Sequence, residues 1–199
     1  ETSNQQQWAT VVPALIRHVD ATVTLDPPRG HVVIEGTYDM VNRTSGPMTS
    51  LPFTIPPAFG PVRWQVRGIP AIPSGADGLQ VLALAAPLAP GEAVRVGFRY
   101  GAHINAGISR NGGPVDAFVL PSSVLLSTHR GDFLPVPGYR RTGGATLRAI
   151  GSDVGAADDS EYFNRGWSFT ATMRVRAPRS LTLNGVGRRT ASITTDNER

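Results

Sequence analysis

The residues best suited to hold a metal or move a proton are His18, His31, His103 and His129, and none lies within five positions of another. The spacing His-Glu-x-x-His, which sets two imidazoles on one helix face with a base between them, is absent, so no metal is assigned. Ser127, His129 and Asp132 have the residue types of a nucleophilic triad. A triad needs convergence in space, and on an extended segment such close spacing splays the side chains apart. No Gly-x-Ser-x-Gly elbow occurs either. Asp153, Asp158, Asp159 and Glu161 are the densest acidic group and the type of oxygen-rich loop that calcium prefers. Gly155, Ala156 and Ala157 break any EF-hand spacing, so residues 153–161 read as a solvated connector, with cation binding there left open. Asn42-Arg43-Thr44 is a formal glycosylation sequon and reads as a turn. With no Cys and no Lys, thiol nucleophiles, thiolate-held metals, disulfides and lysine-bearing phosphate loops are all ruled out. The reading is no catalytic residue, no metal and no cofactor.

The elements that carry these residues follow a period of two. In 31–42, Val32, Ile34, Tyr38 and Met40 fall on one face while Glu35, Thr37 and Asp39 fall on the other. The same alternation turns Val19, Ala21, Val23 and Leu25 inward, as it does Val94, Val96, Phe98 and Tyr100. In 167–175 it predicts Trp167, Phe169, Ala171, Met173 and Val175 inward. Shorter strand signals lie at 51–55, 62–66, 79–85, 117–120, 124–127, 181–183 and 191–194, separated by Pro, Gly and Asn turns. With 22 Gly and 17 Pro among 199 residues and no sustained helical pattern, the chain predicts an all-β, antiparallel β-sandwich of roughly ten strands. Irregular loops are expected in its second half, at 101–113 and 130–159. The domain reading is a flexible segment over 1–9, one sandwich over 10–195 and a tail over 196–199. Trp64, Phe98, Tyr100, Trp167 and Phe169 are core candidates; Trp8 stands apart near the terminus.

All nineteen basic residues are arginines, the net charge is +4, and the basic residues are scattered along strands rather than clustered. A nucleic-acid partner is therefore not expected. No apolar run approaches the length of about 18 residues that a membrane span requires. The chain starts at Glu1 without a signal-peptide pattern, so it reads as a processed chain or a piece of a longer one.

Three segments carry a family resemblance. They are 34–44 (Ile-Glu-Gly-Thr-Tyr-Asp-Met-Val-Asn-Arg-Thr) with the later Leu-Ala-Pro-Gly-Glu turn at 88–92 and the strand end 97–100; 132–141 (Asp-Phe-Leu-Pro-Val-Pro-Gly-Tyr-Arg-Arg); and 166–173 followed by 181–189. In order and spacing this series resembles the amino-terminal β-sandwich of M1-family (gluzincin) aminopeptidases, above all the version in bacterial proteins that join an ABC-2-type permease to an M1-like peptidase region. The resemblance implies a zinc-bearing domain beyond this one and a non-catalytic, extracytoplasmic module, periplasmic or at the cell surface, tethered to the membrane through its parent protein. Its expected partner is a neighbouring domain of that parent. Tyr139, Arg140 and Arg141 are the candidate contact residues, because prolines fix the backbone just before them. Two alternatives remain: a carbohydrate- or peptide-binding sandwich, and a free-standing hydrolase built on Ser127, His129 and the acidic loop.

Overall fold

The computed structural model describes residues 2–55, 60–103, 117–126, 133–140, 169–185 and 187–193. A short helix α1 (Thr2–Trp8) leads into β1 (Leu15–Asp26) and β2 (His31–Val41). Then come β3 (Met48–Thr54), β4 (Arg63–Val66), β5 (Ile69–Ala71), β6 (Leu79–Leu88) and β7 (Ala93–His103). The later strands are β8 (Ala117–Leu120), β9 (Ser123–Leu126), β10 (Val136–Pro137) and β11 (Thr170–Arg176). They form a six-stranded sheet in the order β11-β1-β2-β7-β4-β5, a three-stranded sheet β10-β3-β6, and the hairpin β8-β9. The predicted all-β sandwich is thus the observed architecture.

Alternation decides the core. The inward residues predicted for β1, β2 and β7 are all buried, and they join Leu51 and Phe53 of β3 and Leu82 and Leu88 of β6 in one apolar cluster. Its centre is aromatic. The ring centroids of Tyr38 and Phe98 lie 4.7 Å apart, those of Phe53 and Trp64 also 4.7 Å, and Trp64 meets Phe98 edge-on at 6.4 Å. Such pairs add about 0.5–1.5 kcal/mol each beyond the area they bury. Gly36 makes this packing possible: a Cβ there would stand 2.5 Å from Asp20 O and 2.9 Å from Phe98 Cζ, so the Phe98 ring occupies the space of the missing side chain.

One end of the sandwich is tied by Asn42, which is fully buried. Its amide nitrogen donates to Leu88 O and Gly46 O, each at 2.8 Å, and its side-chain oxygen accepts from Thr44 N at 2.9 Å and lies 2.7 Å from Thr44 Oγ1. Its backbone joins the turn between β6 and β7 through Gly91 N at 2.8 Å and Glu92 O at 3.0 Å. The formal sequon is a buried Asx turn, inaccessible to a glycan.

Several expectations need correction. β11 does pair with β1, but in parallel, with Ala21 opposite Met173 and Val23 opposite Val175. Ala171, Met173 and Val175 therefore share the inward side of β1, yet Met173 is 44% exposed and Phe169 37% exposed. An edge strand of a six-stranded sheet lies outside the cover of a three-stranded one, so alternation sets the side a residue faces without burying it. Trp167 lies outside the described residues. Neither 181–183 nor 191–193 is a strand; Leu181 N bonds to Pro178 O at 3.0 Å, which turns the chain there. β5 and β10 were not predicted.

Candidate functional site

The candidate contact segment is built into the sandwich before it reaches the surface. Phe133 through Gly138 are buried, and β10 pairs with β3, Val136 opposite Thr54 and Pro137 opposite Phe53. Two tyrosines of the core hold the segment from below. Tyr38 Oη donates to Pro135 O at 2.8 Å, and Tyr100 Oη donates to Phe133 O. Gly138 then turns the chain with φ +88°, a left-handed conformation disfavoured for other residues, with Pro13 Cγ only 3.1 Å from where a Cβ would sit. Gly138 N donates to Pro52 O at 2.8 Å, Thr54 Oγ1 donates to Gly138 O at 2.8 Å, and Arg140 N donates to Thr54 Oγ1 at 2.7 Å. The backbone of Tyr139 and Arg140 is consequently fixed to β3, and both side chains are half-buried. Arg141 lies outside the described residues, as do Ser127, His129, Asp132 and residues 153–161.

The other histidines are distributed along the large sheet. His31 and His103 are cross-strand partners with ring centroids 5.5 Å apart, and His18 Nδ1 is 2.7 Å from Thr170 Oγ1. Among the described residues no three His, Asp or Glu side chains come close enough to hold a metal ion. Trp8 is half-buried at the end of α1, which Asn4 Nδ2 ties to Ala76 O at 2.9 Å.

The outward side of the large sheet is charged and largely paired. Arg95 grips Asp39 through Nε at 2.7 Å and a terminal nitrogen at 3.1 Å, Arg99 reaches Glu35 at 2.9 Å, and Arg174 bonds Asp20. The hydrogen bond from Arg95 holds the Asp39 carboxyl below the usual carboxylate range, outweighing the opposing desolvation, and the positive charge of Arg95 adds a lesser lowering. Sequence reasoning read these residues as a solvated sheet face and missed their register, which places Arg63 of β4 directly opposite Arg99 of β7. No helix among the described residues is long and apolar enough to cross a membrane.

No protein-family model and no curated protein sequence matches the chain. Solved structures do. Over 94% of its length the chain superposes on the M1 zinc metallopeptidase of Deinococcus radiodurans with a TM-score of 0.62 and 18% identity, covering 38% of that chain. A variant of that enzyme bound to a Tyr-Ser-Ala substrate gives a TM-score of 0.61 and 19% identity, again over 94% and 38% of the two chains. A two-domain M1 zinc metallopeptidase variant bound to L-arginine gives 0.56 at 18% identity, with the same coverage. The sequence lacks His-Glu-x-x-His, and among the described residues no three-ligand group is present that would fit the zinc of those proteins. The chain carries the fold of a part, 38% by length, of M1 zinc metallopeptidases, and the resemblance seen in its sequence is borne out at the level of fold.

Proposed function

We propose that this chain is the non-catalytic, amino-terminal β-sandwich module of a longer M1-peptidase-like protein, positioned against the domain that carries the chemistry. The observation that carries the reading is the asymmetry of the match: nearly all of this chain aligns with just over a third of the peptidase. Within that reading the segment ending at Tyr139, Arg140 and Arg141 makes the contact. A backbone pinned by three hydrogen bonds to β3 loses little further entropy on docking. An extracytoplasmic, membrane-tethered setting, with an ABC-type permease in the same protein, belongs to the proposal through the sequence resemblance alone.

The test is to replace Tyr139 and Arg140 with Ala in the full-length parent protein and to follow thermal unfolding and limited proteolysis between the domains. The proposal expects an unchanged sandwich with weakened domain association. Unaltered assembly and activity would remove the contact.

A further inference from the structure

The outward side of the six-stranded sheet is hollowed into a concavity of about 700 Å³ spanning β1 to β5. Its floor is Gly97, and this glycine differs from Gly36. A Cβ on Gly36 would collide with backbone, whereas one on Gly97 would meet nothing nearer than Gln65 Cβ and Oε1 at 3.4 Å, an ordinary contact. Gly97 is not in the left-handed region either. Neither packing nor backbone demands glycine here, and a strand-interior glycine weakens a sheet by about 0.5–1 kcal/mol. What Gly97 does is keep the floor low beside the Gln65 side chain.

Above that floor Arg63 and Arg99 stand directly opposite one another, an arrangement that destabilises an antiparallel pair. The acidic residues of the concavity are already engaged, Glu35 with Arg99 and Asp20 with Arg174. Arg63 has no acidic partner among the described residues, so the hollow keeps one uncompensated positive charge. Pro70 of β5 lines its far side.

We infer that this concavity binds an extended acidic segment of a partner protein, with a carboxylate on Arg63 beside the Arg99–Glu35 pair, its backbone passing over Gly97 and an apolar side chain against Pro70. The Arg63 guanidinium supplies forked donors suited to a carboxylate, and the missing side chain of Gly97 leaves room for a peptide backbone beside Gln65.

The experiment titrates the isotope-labelled 199-residue chain with an acetylated Glu-Val-Glu-Val peptide, its Gln-Val-Gln-Val counterpart and inorganic phosphate, observing the amide resonances of Gly36, Gly97 and Arg99. The expected result is saturable shifts with the Glu peptide and binding weaker by about two- to fivefold with the Gln peptide. Gly97→Leu, whose Cβ would meet nothing nearer than 3.4 Å, is expected to keep its melting temperature and lose the response; Arg63→Glu loses it too and responds to a Lys-Val-Lys-Val peptide instead. Equal responses to the Glu and Gln peptides, or an unchanged response in Gly97→Leu, would overturn the inference. So would phosphate saturating the same resonances as tightly as the Glu peptide, which would mark an inorganic anion site. Because the readout is made on this chain alone, it is independent of the contact assigned to Tyr139 and Arg140.

Discussion

Asn42 offers the sharpest energetic prediction. Asn42→Ala removes a side chain whose two amide hydrogens and carbonyl oxygen are all used. Gly46 O keeps a second donor, Thr44 Oγ1 at 2.9 Å, but Leu88 O and Thr44 N each lose their bond to Asn42. A buried polar group stripped of its partner costs about 1–3 kcal/mol; Leu88 O is buried and Thr44 N only partly so, which gives a loss of about 2–4 kcal/mol. For a domain of this size that corresponds to a fall in melting temperature of about 5–15 °C. Urea denaturation followed by Trp64 fluorescence measures it, since Trp64 is buried in the core. Asn42→Asp is the more telling variant, because its second carboxylate oxygen would face the Leu88 and Gly46 carbonyls. That repulsion raises the folded-state pKa of the new carboxyl above its unfolded value, so the protonated form can donate where Asn did. Its stability is retained in acid and lost as pH rises through the raised pKa, the reverse of an ordinary surface carboxylate. An Asn42→Ala protein within about 0.5 kcal/mol of the parent would refute this reasoning, since that is the scatter of ordinary surface changes.

Three further outcomes follow from the same geometry. Gly36→Ala should cost more stability than any other glycine-to-alanine change within the large sheet, because its Cβ meets Asp20 O at 2.5 Å; chemical denaturation should show Gly97→Ala neutral or stabilising by comparison. Tyr38→Phe should lose about 1–3 kcal/mol by leaving Pro135 O unpaired, and hydrogen exchange should quicken in 133–138 before it does in β2. The Asp39 carboxyl, held low by Arg95, contributes stability above its unfolded pKa that disappears as pH falls through the folded value, below about pH 4. The pair is half in solvent, so Asp39→Asn should cost under about 1 kcal/mol at neutral pH and low salt, with the difference from the parent vanishing in acid.

Strands β1, β2 and β7 were legible because each runs long enough for alternation to declare a wet and a dry face, as with Glu35 beside Ile34. β5 was not, because its hairpin turn places Arg67 and Gly68 at φ +53° and +81° where Asn-Gly would be the usual signal, and Pro70 argues against a strand. β10 is two residues long and is held by tyrosines 97 and 33 positions away from the carbonyls they reach, a constraint no local pattern carries. For β11 the pattern told which side Met173 faces, while its exposure depends on how far the smaller sheet extends. The opposition of Arg63 and Arg99 is a fact of register between strands distant in sequence. Tyr139 and Arg140 could be singled out from the prolines before them, whereas the hydrogen bonds of Thr54 that fix their backbone could not.

In the role proposed for it, this sandwich is a scaffold whose chemistry resides in another domain. An aminopeptidase assay on the purified chain, run with aminoacyl anilide substrates and added zinc, tests it most directly. Release no faster than the buffer blank is expected, with the protein folded throughout. Turnover that a chelator or His129→Ala abolishes would contradict it.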